Sequence, residues 1–304
     1  MKLSRRSGVA VLVAVVAALL GFAYARPVTV LEELGSTWLR LRGVRSVHVQ
    51  TGLHRLHYLE AGSGPPLLLV HGLGSSAMQD WGRLLAPLGR HFHVYAPDLP
   101  GFGRSERPPD ADYSISMQVK AVRSFMDTLE IDRARVAGIS MGGWIVSRLA
   151  SESPERVERL VVVDGAGMES DGSDIPADAL LPQDEEGVRR LIATVRHDPP
   201  ATPSFVVRDI LARRLQEEWI IRRALVAMRD GDDWLNGTLA RADMPVLIIW
   251  GKQDVLIPLE YGTALQAEFP RAELEVLDGC GHVSIADCPE AFDRVFLSFM
   301  SAVP

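Results

Sequence analysis

The residues Gly138-Ile139-Ser140-Met141-Gly142-Gly143 carry the pattern G-x-S-x-G where a β-rich run, Arg135 to Ile139, passes directly into a helical run. A serine on such a sharp strand-to-helix turn projects its Oγ from the edge of a sheet. Glycines are needed on either side because a Cβ would meet neighbouring elements. The helix starting at Met141 also aims unpaired backbone N–H groups and the positive end of its dipole at that spot, where a developing oxyanion would be stabilised; the Met141 N–H is one such donor. Taken alone, the pattern also arises in structural turns. A serine hydroxyl is a weak nucleophile, so acyl-transfer chemistry requires a histidine to take its proton and a carboxylate to hold that histidine in the right tautomer.

Of the eight histidines, His282 is best placed, because Gly279-Cys280-Gly281-His282 follows the last β-run and enters a loop before the final helix. Gly251-Lys252-Gln253-Asp254 follows the apolar run Val246 to Trp250, which puts Asp254 at a carboxyl end of the sheet, where sites are built. Asp164 also ends a β-run and competes for the role, but it precedes a long insertion and fits less well than Asp254. A second oxyanion donor is expected from His71-Gly72-Leu73-Gly74-Ser75-Ser76, with the Leu73 N–H as the donor and His71 as a structural hydrogen-bonding residue. His91 and His93 share one strand face without a nearby third ligand, so no metal is expected, and the chemistry above needs no cofactor.

The elements that must position these residues alternate short β-rich runs with helical patterns, the sign of βα units and a mostly parallel sheet. Val44 to Val49 and Leu53 to Glu60 read as an initial hairpin. Six further strands are expected over Pro66 to Val70, Phe92 to Pro97, Arg135 to Ile139, Leu160 to Asp164, Pro245 to Gly251 and Glu273 to Leu277. Helical patterns fall at Trp81 to Leu88, Ser114 to Leu129, Met141 to Ser153, Leu259 to Phe269 and Pro289 to Met300. The spacing fails once, where about 77 residues, 165–241, replace a short crossover. Asp171, Asp174 and Pro176 read as loop there, whereas Phe205, Ile210, Leu211, Leu215, Trp219, Ala224 and Met228 mark amphipathic helices, expected to form a cap over the sheet edge.

Together with Asp98-Leu99-Pro100-Gly101-Phe102-Gly103-Arg104-Ser105, these motifs resemble the α/β-hydrolase fold superfamily from about residue 45 to the C-terminus. The chain order Ser140, Asp254, His282 is the one expected of that superfamily. Within it the sequence is similar to bacterial lipase-like esterases and membrane-anchored monoacylglycerol lipases, which implies ester hydrolysis with Ser140 as nucleophile, His282 as base and Asp254 as orienting acid. A helical cap forming an acyl pocket is implied as well. Ile139 stands where such lipases often carry a polar residue, and Val283-Ser284 replaces a frequent proline-containing sequence. The expected substrate is a small acyl ester, monoacylglycerols included. The alternatives are a carbon–carbon bond hydrolase using the same three residues and a non-catalytic hydrolase-like binding protein. Related dehalogenases and epoxide hydrolases carry Asp where this chain has Ser140.

The first residues are of another kind. Lys2, Arg5 and Arg6 precede an uninterrupted apolar stretch, Gly8 to Ala25, long enough as a helix to reach about 27 Å. It could just span a bilayer, yet Ala23-Tyr24-Ala25 matches a signal-peptidase pattern, so residues 1–25 read as either a membrane anchor or a cleaved signal. Both readings place the catalytic body outside the cytoplasm, membrane-anchored or exported to the periplasm or medium. Residues 26–44 form an amphipathic linker, with Leu31, Leu34, Trp38 and Leu41 on one side of a helix that either rests on the bilayer or covers the domain's own core. The remainder, 45–304, is the hydrolase domain. Across all 304 residues, 47% hydrophobic and 23% charged exclude disorder, and a net charge of −7 offers no broad attraction to nucleic acid. Cys280 and Cys288 are too few for a disulfide scaffold or a cysteine-rich zinc site; a single disulfide beside His282 and two buried thiols are both open.

Overall fold

The computed structural model describes residues 5–169 and 177–302. Lys2 and the loop expected through Asp171, Asp174 and Pro176 lie outside the described residues. Eight strands form one sheet: β1 (Arg45–Gln50), β2 (Arg55–Ala61), β3 (Pro66–Val70), β4 (His93–Pro97), β5 (Ala134–Ile139), β6 (Val157–Val163), β7 (Val246–Gly251) and β8 (Ala272–Leu277). Their order is β1-β2-β4-β3-β5-β6-β7-β8, parallel throughout except where β2 runs against β1 and β4. The inner strands are nearly continuous apolar runs, such as VLIIWG in β7, because helices cover both their faces. β1 is one of the two edge strands, half exposed and polar.

The helices are α1 (Arg5–Ala25), α2 (Pro27–Leu41), α3 (Ala77–Leu88), α4 (Ile115–Thr128), α5 (Met141–Glu152), α6 (Ala177–Leu180), α7 (Glu185–Val195), α8 (Ser204–Asp230), α9 (Leu259–Glu268), α10 (Ser284–Asp287) and α11 (Pro289–Ser301). One core layer packs α4 and α5 on the sheet through Val119, Phe125, Trp144 and Ile145. The other packs α3 and α11 through Trp81, Leu85, Phe292 and Phe296. The chain winds one way from β3 to β4 and the other way from β5 to β8, so the crevice beyond the carboxyl ends of β3 and β5 is the switch point where such sheets bind ligands. Helices α6 to α8 lie between β6 and β7 in the chain.

One helix start needs correction, and one open alternative closes. α3 begins at Ala77, a turn before Trp81, because the Ser76 side chain accepts the Gln79 N–H as N-cap. α2 begins at Pro27, and its predicted apolar stripe faces away from the body: Leu31, Leu34, Trp38 and Leu41 are 64, 62, 45 and 83% exposed. The stripe therefore does not cover the domain's core. Polar contacts hold the opposite side of α2 instead, with Asp209 of α8 accepting the Val28 N–H and Glu32 bound by Arg213 and Gln79. Among the described residues no single helix is long and apolar enough to cross a membrane; the stretches Val15–Ala25 and Pro27–Leu41 meet at 100°.

Candidate active site

Ser140 sits between β5 and α5 with φ 54° and ψ −120°, a conformation that an L-residue adopts only under constraint. The constraint is visible. Its N–H donates to Val163 O at 2.9 Å, and its carbonyl accepts the Ala166 N–H at 3.1 Å and the Trp144 N–H at 3.2 Å. A Cβ on Gly138 would strike the Gly142 backbone, and one on Gly142 would strike the Val70 and His71 carbonyls, so both must be glycine for the turn to close. Beyond Ser140 opens a cavity of about 810 Å³, lined among others by Leu73, Met141 and His282, and roofed by Ile210, Ile221 and Leu225 of α8.

Asp254 and His282 are brought together. His282 Nδ1 lies 2.8 Å from Asp254 Oδ2, and Asp254 Oδ1 accepts the Leu256 and Ile257 N–H groups, both at 2.9 Å. An ionised Asp254 can only accept, so Nδ1 carries the proton and the lone pair of Nε2 is left for a hydroxyl. Burial would lower the pKa of His282, but the charge and hydrogen bond of Asp254 outweigh it and hold the imidazole above its ordinary value. Ser140 and His282 line the same cavity, with no hydrogen bond between them.

Asp164 makes no hydrogen bond to the His282 ring; it joins the loops that carry the other groups. Its Oδ1 accepts the Gly251 N–H at 2.7 Å, and its Oδ2 accepts Ser284 N–H at 3.1 Å and Oγ–H at 2.6 Å. Complete burial, with the Asp254 charge nearby, pushes its pKa up to about 7. Cys280 and Cys288 are joined by a disulfide that closes the His282 segment.

Leu73 and Met141 both face the cavity, and among the described residues neither N–H donates to a protein acceptor. The Leu73 loop is held by Asp80, a residue the motifs did not reveal: Oδ2 accepts the Gly72 N–H at 2.8 Å and Oδ1 the Ser75 hydroxyl at 2.6 Å. The available signal was its place in the first turn of α3, where a carboxylate suits the helix dipole. Arg214, from the cap, donates to Gly74 O at 2.8 Å; nothing in the sequence pointed to it. His71 is structural, accepting the Leu99 N–H at Nε2 and bonding its neighbour's carbonyl through Nδ1. His93 bonds Glu60 and Tyr95, and among the described residues no group of three or more His, Cys, Asp or Glu converges as a metal site.

A model of the alpha/beta hydrolase family matches residues 67–295, more than half of the chain. The crystal structure of a membrane phospholipase A, described as a bacterial virulence factor, superposes with a TM-score of 0.86 at 29% identity, covering 96% of each chain. The 2-hydroxymuconate semialdehyde hydrolase of Pseudomonas sp. (strain CF600) is 33% identical over 258 residues, 79% of this chain and 87% of that protein. Lipase 3 of Moraxella sp. (strain TA144) is 27% identical over 234 residues, 74% of each.

Proposed function

The chain belongs to the alpha/beta hydrolase family, and from that premise we propose that it is a serine hydrolase of carboxylic esters with apolar acyl chains, monoacylglycerols among them. The observation that carries this reading is the strained Ser140 elbow opening on the cavity roofed by apolar residues of α8, beside a histidine already oriented by a carboxylate. Ser140 Oγ attacks the ester carbonyl while His282 Nε2 takes its proton, and Asp254 stabilises the imidazolium. The Leu73 and Met141 N–H groups receive the oxyanion, unsatisfied until then and therefore without reorganisation. His282 returns the proton to the leaving alcohol, then activates water to release the acid from Ser140. About 810 Å³ with Ile210, Ile221 and Leu225 on one side leaves room for an acyl chain, while Arg107, Arg214 and Glu217 in the same lining leave room for a polar head. The structural neighbour named as a phospholipase A supports a lipid ester, whereas the semialdehyde hydrolase relative supports carbon–carbon cleavage with the same residues as the second reading.

Membrane attachment and a catalytic body outside the cytoplasm are part of the proposal. The exposed apolar side chains of α1 and α2 support the first, and the Cys280–Cys288 disulfide suits an oxidising compartment. N-terminal sequencing of the membrane fraction tests the anchor; a chain starting at Arg26 would replace it with a cleaved signal. The reaction is tested by hydrolysis of p-nitrophenyl esters of increasing length, monoacylglycerols and a diacyl phospholipid. Turnover that disappears in Ser140→Ala is expected, and cleavage of diketones without turnover of any ester would overturn the reading in favour of the second.

A further inference from the structure

Away from Ser140, the fold assembles another serine, histidine and aspartate in hydrogen-bonded series. Ser46 Oγ lies 2.8 Å from His57 Nε2, and His57 Nδ1 lies 2.7 Å from Asp98 Oδ2. The three come from different places. Ser46 is on β1, His57 is on β2 opposite His48, and Asp98 follows β4, next to β2 in the sheet.

The hydrogen bonds fix the proton positions. Asp98 Oδ1 accepts the Ala77 N–H, and Oδ2 accepts the Arg104 N–H in addition to His57, all at 2.7 to 2.8 Å. So many donors hold the carboxylate ionised, and its pKa stays below the usual range even though burial pulls it upward. An ionised Asp98 can only accept, so the neutral His57 ring is protonated at Nδ1 and its Nε2 must accept from the Ser46 hydroxyl. The side chains of His57 and Asp98 are 4 and 3% exposed, while Ser46 is exposed on an edge strand. A hydroxyl that only needed a partner would find one in water. Here it is turned onto a buried base that is oriented by a carboxylate, the arrangement that activates a serine.

We propose that Ser46 is a second reactive nucleophile, with His57 as its base and Asp98 as the residue that positions His57, open to small water-borne acylating or phosphonylating electrophiles. His57 and Asp98 line the cavity beyond Ser140, but the exposed Ser46 does not, so long acyl chains held in that cavity gain nothing at its hydroxyl. β1 is an edge strand, and of the consecutive Ser46 and Val47 N–H groups one points away from β2 and is free to receive developing negative charge. With a fluorophosphonate the step balances: Ser46 Oγ forms the bond to phosphorus, the phosphorus–fluorine bond breaks, fluoride leaves, and the hydroxyl proton passes to His57 Nε2.

The test uses the full chain as Ser140→Ala, treated at pH 8 with an alkyl fluorophosphonate and read by intact mass and peptide mapping. One added phosphonyl group on the peptide bearing Ser46 is expected. It should be absent from Ser140→Ala/Ser46→Ala and form about 10²-fold more slowly in Ser140→Ala/His57→Gln, the usual loss when a general base is removed. Ser46→Ala alters an exposed side chain, so its result stands even if the buried His57 variant folds poorly. No label on Ser140→Ala, or label elsewhere, overturns the proposal. Failure of the Ser140 reading shows separately, as wild-type protein unlabelled at Ser140.

Discussion

Ser140 and Ser46 each stand near a histidine oriented by a buried carboxylate, and they differ in everything else. At Ser46 the serine–histidine hydrogen bond is already made, yet the residue is exposed on an edge strand and does not line the cavity that His57 and Asp98 border. At Ser140 that bond is open, but the backbone is strained, a helix begins, two N–H groups wait without acceptors and a cavity of about 810 Å³ adjoins. A proton relay is local: three side chains at hydrogen-bond distance suffice, and two adjacent strands with a loop can supply them. Binding an ester and its oxyanion takes converging ends of several strands, a helix N-terminus and a cap. On the reading proposed above, the bulk of catalytic power is expected at Ser140, and at Ser46 reactivity without substrate affinity.

The largest expected effect follows directly. Ser140→Ala should lower kcat/KM for the best ester by about 10⁵-fold or more, measured with p-nitrophenyl esters, because the surviving relay at Ser46 lacks a pocket. A residual rate within tenfold of wild type would break the comparison. Next, Asp254→Asn should cost about 10⁴-fold in kcat with little change in KM, since the amide would present a donor to Nδ1 and impose the wrong tautomer on His282. Asp80→Ala should cost about tenfold to 10²-fold, because the Gly72–Ser75 turn that aims the Leu73 N–H would lose both of its anchors. A rise in KM with unchanged kcat would instead make that loop a binding element only.

How much of this could be read from the sequence differs between the two places. The Ser140 elbow, the Asp254 turn and the His282 loop are local motifs at strand ends, so eight runs of β-rich sequence were enough to order them. The relay at Ser46 has no motif; it exists because the antiparallel register sets His57 opposite His48 and the sheet order brings Asp98 alongside, and neither register nor order is written in any short segment. The same limit applies to α2. Its periodicity revealed an apolar face, but the direction of that face was decided by Asp209 and Arg213 on α8, more than 170 residues later. Asp164 competes for the acid role in the sequence because it ends a strand; its bonds to Gly251 and Ser284 depend on two loops converging from far along the chain.

Asp164 gives a smaller and more discriminating test. His282 must be neutral to act as base, so activity should fall as pH drops through its raised pKa, and the negative charge of Asp164 is one of the groups raising it. Asp164→Asn removes that charge. To the extent that Asp164, with its own pKa near 7, is ionised where His282 titrates, the acid limb of kcat/KM should then move to lower pH. An unmoved limb would mean that Asp164 only ties Gly251 to Ser284.

The disulfide marks the last difference. His57 lies in strand β2, its carbonyl accepting the Asp98 N–H and its N–H donating to Ser105 Oγ, whereas His282 lies in a loop whose course depends on Asp164, on Asp287 accepting the Gly281 N–H and on the Cys280–Cys288 bond. Closing a loop of this separation restricts the unfolded chain by about 2.5 kcal/mol in the chain-entropy treatment, an upper value for a short bridge. Cys280→Ala/Cys288→Ala should therefore lower Tm by about 5 °C. At a temperature where both proteins are folded, it should lower kcat several-fold through looser placement of His282. Labelling at Ser46 in the Ser140→Ala background should be unaffected, because nothing in that relay touches the bridge. If the cysteine variant lost both reactivities together, the effect would be global and the distinction between a histidine held by a loop and one held in a strand would fall.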